Sequence, residues 1–425
     1  MNSNTPKVLH PIGGRALIGH VLDMAQALSP RQIHVVVGKD MDTISAAVAP
    51  VPSLVQDPPL GTGHAVQCAR EALAGFTGDV VVLYGDTPLI KAQTVQKMRD
   101  DAGGASVVVL GFRPEDPAAY GRLVMSADNT LEAIVEYADA TDEQKAITLC
   151  NSGVMLLDSA TCWDMLDALN DDNASGEYYL TDLVEIANTK GGRCVAVEAE
   201  AEEVLGVNSR VDLAIAEAVF QERARMAALE SGVTLQDPDS VYFSYDTHLG
   251  RDVTVGPNVV FGPQVRIADN VTIEAFCHIE GADVASGARI GPFARLRPGA
   301  SLGEDVHIGN FVEVKNSRID DGAKANHLTY IGDSHIGAAT NIGAGTITAN
   351  YDGFNKHKTE IGAGVSIGSN VVLVAPLTVA DGALVGAGST ISENVATDDL
   401  VVTRAERKDV PDGAARFRAS RAKKL

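Results

Sequence analysis

The sequence predicts two domains of different build: an α/β domain with a Rossmann-like sheet in the first half, and a left-handed parallel β-helix of hexapeptide repeats in the second. Three observations carry this. Near-continuous apolar runs at 34–38, 80–84 and 106–110 alternate with helical patterns near 15–28, 62–74 and 91–101. A capped helix pattern follows, from 208 to about 231. Beyond it, apolar residues recur six positions apart over 240–402.

The apolar runs HVVVG, VVVLY and SVVVL have the composition of strands buried on both faces. Strands alternating with helices imply an open parallel sheet, in which ligands bind beyond the carboxyl ends of the strands. Asp86 stands at such an end, after VVVLYG. Ser209 and Asp212 have capping-box spacing. Leu213, Ala216, Phe220, Ala224 and Ala227 form one narrow apolar stripe on the helix they open, which is expected to join the two domains.

The hexads are the most regular feature. Ile361, Ile367, Leu373, Val379, Val385 and Ile391 stand six apart, as do Val255, Phe261, Ile267, Ile273 and Ile279. Val253, Val259, Val265, Val271 and Cys277 sit two residues earlier in each unit. Period six is neither the 3.6 of a helix nor the alternation of a lone strand. Residues i−2 and i share one face of a short strand, and stacking such units buries the row. The left-handed coil, three units per turn, departs from the usual right-handed crossover, and the regular period outweighs that rule. Glycine follows the frame residue at 256, 262, 291, 303, 309, 332, 337, 343, 362, 368 and 386, where it is expected to turn the chain at a corner. The apolar frame lapses between Ile342 and Ile361, so Asn350-Tyr351-Asp352-Gly353 is expected to be a loop thrown off the coil. From residue 404 the tail carries eight Lys/Arg against three Asp/Glu and no apolar period, as an arm disordered in part would.

A net charge of −22 argues against nucleic acid as a partner. No apolar run reaches the length of a membrane span, and no secretory signal pattern opens the chain. The five cysteines form no CxxC pair and are expected to be reduced, in keeping with a cytoplasmic protein.

Two groups of residues carry chemistry. The first is Lys7, Gln56, Gly61-Thr62-Gly63, Tyr84-Gly85-Asp86, Asn151 and Asn208. Amides at the helix start after Gly61 and the ammonium of Lys7 suit phosphate, while Asp86 suits Mg²⁺, which takes oxygen ligands. The second is Arg297, Lys315, His327, Tyr330, Asn341, Asn350, Tyr351 and Lys356. Arg and Lys suit a sugar phosphate, and an amine attacking a thioester needs a base, which histidine can supply.

The motifs YGDTPLI, GEYYLTD, RLRPGA, NHLTYIGD and NIGAGTITANYDG, in this order, resemble those of a bacterial enzyme family. Its members join an N-acetylglucosamine-1-phosphate uridyltransferase to a glucosamine-1-phosphate N-acetyltransferase. The resemblance covers nearly the whole chain. It implies a uridyltransferase domain at 1–207, a linker helix at 208–231, an acetyltransferase β-helix at 232–403 and a basic arm at 404–425. It implies nucleotide binding by Lys7, Gln56, Gly61, Thr62, Tyr84, Gly85 and Asp86, sugar-phosphate binding by Gly121, Glu136, Asn151 and Asn208, and Mg²⁺ between Asp86 and Asn208. In the second half it implies His327 as the catalytic base. Arg297, Lys315, Tyr330, Asn341 and Lys356 would hold glucosamine 1-phosphate. Asn350, Tyr351, Ser369, Ala387 and Arg404 would hold acetyl-CoA. The products would be N-acetylglucosamine 1-phosphate and then, with UTP, UDP-N-acetylglucosamine, a precursor of the bacterial cell envelope. A homotrimer is also implied.

One departure stands beside these matches. The family opens with a strand and a loop of the form L-A-A-G-x-G-T-R-M, which has no counterpart before Thr5. The α/β domain is therefore expected to be N-terminally incomplete, with two strands lacking a shared neighbour, and to transfer uridylyl groups poorly. An acetyltransferase-only protein is the alternative that this departure leaves open. A zinc enzyme built on His278, His307, His327, His335 and His357 is another, though it gives the sugar-phosphate motifs no place.

Overall fold

The computed structural model describes residues 1–117, 120–173 and 175–421. The chain forms two compact units, Met1–Arg223 and Ala224–Leu425. Their division falls inside one helix, Arg210–Glu230. That helix opens as its sequence predicts: Asp212 N–H donates to Ser209 Oγ at 3.1 Å, and the Asp212 carboxylate accepts from the amides of Ser209 and Asn208 at 2.8 and 3.0 Å. The apolar stripe holds at Leu213, Ala216 and Phe220, but it continues through Ala224 and Ala228. Ala227 is exposed, because steps of four from Phe220 keep to one face of the helix.

In the first unit the valine runs form the strands Val35–Gly38, Asp79–Val82 and Val107–Phe112. The last is buried along its whole length. Val107 and Val109 pack with Cys162, Leu166 and Leu183 on one face, while Val108 and Leu110 pack with Val95 and Met98 on the other. This two-sided burial is what a run without alternation requires. The sheet is mixed, which corrects the expected parallel one. Cys150–Asp158 runs antiparallel to both Asp79–Val82 and Val107–Phe112, and strand direction leaves no mark on local periodicity. The helix expected over 62–74 is also shorter, Thr62–Gln67, with turns closed by i→i+3 bonds such as Ala69 N–H to Val66 O carrying the chain onward.

Among the described residues Val35–Gly38 pairs only with Ser53–Gln56, in a two-stranded sheet. Between it and Asp79–Val82 lies a cavity of about 960 Å³, lined by Val35, Val37, Val80, Val82 and, from the helices, Ile18 and Val66. These two strands stand on either side of an apolar slot, with no strand between them among the described residues.

The second unit is a parallel β-helix. Among the described residues its strands fall into three sheets of ten, eight and eight, and except at the two ends of the ten-stranded sheet each strand pairs with the strand three further along the chain. The frame residues stack rung on rung, Ile273 on Ile290 and Ile290 on Ile308. They are fully buried in one continuous core with Val253, Val259, Val265, Val271 and Cys277. Each such side chain contributes about 1.5–3 kcal/mol by leaving water. Where the apolar frame lapses, the coil does not. Thr340, Thr346 and Thr348 occupy inward positions and are buried, and their hydroxyls reach backbone carbonyls of neighbouring coils, as Thr340 does at Gly362 O, 2.7 Å away.

Of the frame glycines only Gly291 takes a left-handed corner conformation (φ 100°), which corrects the reason given for the others. A Cβ on Gly309 would lie 1.9 Å from Asn326 O, and one on Gly368 2.4 Å from Ala387 N. They let successive coils approach. The other left-handed corner positions lie elsewhere and hold mostly other residues, among them Asn258 (φ 58°), Phe276 (φ 61°) and Asn370 (φ 56°). In the arm, Gly413–Arg421 is a helix with no buried residue. Residues 422–425 lie outside the described residues.

Candidate functional sites

In the first unit, Val207 N–H donates to Asp86 O at 2.9 Å and fixes two distant segments side by side. This brings Asp86 and Asn208 to one point, and the ammonium of Lys7 stands between them, 2.5 Å from Asp86 Oδ2 and 2.9 Å from Asn208 Oδ1. A carboxylate and an amide oxygen converging on one cation fit a hard metal ion, which would draw its remaining ligands from phosphate and water. Gly85 packs close to this point, since a Cβ there would meet Ile18 at 2.9 Å.

The helix start does not offer its amides as expected. The amide of Gly63 is taken by Tyr178 O at 2.8 Å, and the Thr62 hydroxyl accepts from Leu180 N–H at 3.0 Å. Gly61 adopts φ +112°, where a Cβ would strike the backbone of Tyr178 at 2.7 Å. Gln56 donates to Gly61 O at 2.9 Å. The segment 177–180 thus locks this turn in shape. Tyr84 lies against it, its hydroxyl bonded to Thr62, and burial pushes its pKa up to about 12. Gly121, Glu136 and Asn151 do come together. Asn151 N–H donates to Gly121 O at 2.9 Å, and a Cβ on Gly121 would lie 3.4 Å from the Glu136 carboxylate. Burial raises the pKa of Glu136.

In the second unit three cations gather. Arg297 is paired with Glu313 at 2.8 Å, and Lys315 lies 3.4 Å from Asp333. The ammonium of Lys356 meets that of Lys315, which depresses its pKa, with the charge of Arg297 adding to the effect. The loop is a small hairpin in which Tyr351 bridges to Lys356. Asn350 is buried at its base and donates to Asp333. Tyr351 is exposed, its hydroxyl held by Gly353 O at 2.6 Å. Tyr330 lies on the strand Tyr330–Gly332, and Asn341 lies one coil above Lys324, on the strand stacked over that of His327. His327 itself is exposed, with Nδ1 2.6 Å from Asn310 Oδ1. Ser369, Ala387 and Arg404 follow one edge upward: Gly388 N–H donates to Ser369 O at 2.8 Å, Ala387 packs against Gly368, and the Arg404 side chain reaches Gly388. Among the described residues no three His, Cys, Asp or Glu side chains converge to hold a metal.

The family profile for MobA-like NTP transferase domains matches residues 1–181, and that for bacterial transferase hexapeptide repeats matches 246–281. A curated relative from Paramagnetospirillum magneticum, Bifunctional protein GlmU, is 53% identical over 427 residues, covering 100% of this chain and 95% of its own. The chain belongs to the GlmU family. Relatives of the same name from Rhodospirillum rubrum (56% identical, 99% of this chain and 94% of its own) and Rhizorhabdus wittichii (57%, 98% and 94%) agree. GlmU proteins join a uridyltransferase to an N-acetyltransferase, and this chain is such a bifunctional transferase with a left-handed β-helix as its second domain. Nothing in these likenesses favours the acetyltransferase-only alternative.

Two residues beside these candidate groups escaped the reading of the sequence. Asp182 lies beside Glu136, and its pKa is pushed up to about 6 by burial and by Glu185, Glu136 and Asp139. Its signal was the motif GEYYLTD, which it closes. Asp333 is buried and accepts from Lys315, Asn316 at 2.6 Å, and Asn350. Burial works against its ionisation, but these bonds prevail and hold its pKa low. It closes the motif NHLTYIGD.

Proposed function

We propose that the second domain acetylates glucosamine 1-phosphate with acetyl-CoA and that the first transfers UMP from UTP to the product, yielding UDP-N-acetylglucosamine and pyrophosphate. The observation that carries this reading is the gathering of Arg297, Lys315 and Lys356 beside a loop and an exposed histidine. Three cations against the two carboxylates of Glu313 and Asp333 leave a positive excess, with the ammonium groups of Lys315 and Lys356 repelling each other, so the cluster is suited to bind a phosphate dianion. With Tyr330 and Asn341 it would orient the sugar. His327 takes the proton from the amine as the nitrogen attacks the thioester carbonyl. Asn350, Tyr351, Ser369, Ala387 and Arg404 follow the edge along which the coenzyme would lie.

In the first domain, Asp86 and Asn208 would hold Mg²⁺, which neutralises phosphate charge when bound. Lys7 stabilises charge on the phosphates as the sugar phosphate attacks the α-phosphorus. Gln56, Gly61, Thr62, Tyr84 and Gly85 would shape the nucleotide site, and Gly121, Glu136 and Asn151 the sugar site. The uridyltransferase spans 1–207, the acetyltransferase 232–403, the joining helix 208–231 and the arm 404–425. A cytoplasmic homotrimer completes the reading, the acetyl-transfer sites lying between neighbouring subunits. No helix among the described residues is long and apolar enough to cross a membrane.

Acetyl transfer is followed as coenzyme A release and uridylyl transfer as pyrophosphate release. His327→Ala is expected to lower the first by about 10²–10⁴-fold and leave the second intact. Near-full coenzyme A release from the folded variant would refute the assignment.

A further inference from the structure

We infer that Asn310 is a positioning residue for acetyl transfer, fixing the tautomer and angle of the His327 ring from the coil below. The inference rests on the reading of His327 as the base. Asn310 ends the strand His307–Asn310 and His327 ends Lys324–His327, and the two are direct partners in the parallel ladder. Asn310 Oδ1 lies 2.6 Å from His327 Nδ1. The backbone of Asn310 is itself held, since its carbonyl accepts from Leu328 N–H at 3.0 Å. Gly309 lets the two coils approach closely here, because any Cβ would overlap Asn326 O. That closeness is what allows so short an amide to reach the ring.

The chemistry follows from the hydrogen bond. An amide oxygen only accepts, so Nδ1 carries the proton and donates it to Asn310. The lone pair of the neutral ring is then on Nε2, which has no partner among the described residues. A base must present a lone pair in a fixed direction, and in histidine pairs the partner of one nitrogen sets the state of the other. Asn310 does this without a charge. The charged groups acting on His307, on the strand below that of His327, are Arg289, Lys324 and Glu274, together with His327 itself. The strand stacked above, Asn341–Ile342, brings no charge.

The test uses the full chain and measures acetyl transfer to glucosamine 1-phosphate across pH for Asn310→Ala, Asn310→Asp and, as control, His327→Ala. Asn310→Ala should lower kcat about 10–100-fold with KM for the sugar phosphate unchanged. Asn310→Asp restores the acceptor with a negative charge. It should recover part of kcat and move the acid limb of the profile upward by about one pH unit. An unmoved limb in Asn310→Asp overturns the inference whatever Asn310→Ala does, and so does a change confined to KM. Should Asn310→Ala fail to fold, the near-isosteric Asp variant decides alone. If His327→Ala stays active, the reading of the base fails and this inference falls with it. If His327→Ala is inactive while both Asn310 variants behave as the native protein, only the inference fails.

Discussion

Asp333 offers the sharpest test of how the acceptor site is held together. Its carboxylate takes bonds from Lys315, Asn316 and Asn350 and is nearly buried. Asp333→Asn keeps the shape but removes the charge and turns one acceptor into a donor facing other donors. A hydrogen bond to a charged group contributes about 1.5–3 kcal/mol. Three bonds to one carboxylate are not additive, so a local loss of about 3 kcal/mol is a conservative figure. The effect should concentrate at the loop that Asn350 anchors, where His357 N–H donates to Asn350 O at 2.8 Å. At about 1.4 kcal/mol per factor of ten, amide exchange of His357 should accelerate on the order of 100-fold. Acetyl transfer should fall with it, since Tyr351 and Lys356 ride on the same hairpin. The assay is native-state hydrogen exchange followed by mass spectrometry over 350–357, with coenzyme A release alongside. Unchanged exchange in a variant of unchanged activity would show that Asp333 is incidental.

The pH dependence of the same loop follows from the sign of the shift. Asp333 has a depressed pKa in the folded protein, so its contribution is complete above the unfolded value of about 3.9 and fades as pH falls through the lower folded value. Loop protection should therefore persist at pH 5 and drop at lower pH, read by the same exchange measurement. Lys7→Ala removes the cation between Asp86 and Asn208. It should lower uridylyl transfer by about 10²–10³-fold while coenzyme A release stays within twofold. Chelation of divalent ions should show the same split between the two activities. Gly309→Ala forces a methyl group against Asn326 O and should destabilise the coil by about 3 kcal/mol, visible as a lower thermal midpoint. A variant melting with the native protein would mean the coils can separate at no cost.

The coil was legible because each rung repeats one inward position, so Ile273, Ile290 and Ile308 announce themselves in the sequence as they stack in the structure. It became illegible where Thr346 and Thr348 took that position. A threonine can be buried only if its hydroxyl finds a carbonyl, and that partner belongs to another coil. The same reason hid Asn310 and Asp333. Their roles depend on residues 17 positions away, and no local pattern marks a polar residue as lying beneath another. The meeting of Asp86 and Asn208 at one point was readable only through family motifs, since it is made by a backbone bond between Val207 and Asp86. The direction of Cys150–Asp158 was not readable at all.

The slot between Val35–Gly38 and Asp79–Val82 has a consequence for how the molecule comes apart. In the β-helix each interior rung is clamped by the rungs above and below, and the core is one unbroken column. In the α/β unit the hydrophobic residues form separate clusters, and Val37 belongs to a different one from Val80 and Val82. The ladder of hydrogen bonds is interrupted between them. A calorimeter should therefore record two heat-absorption peaks, the α/β unit melting at the lower temperature with a shallow rise beforehand as the small sheet loosens. Scanning to the first peak and cooling would destroy the nucleotide site while the acetyl-transfer coils remain wound. The two activities of one chain would then have separate thermal lifetimes.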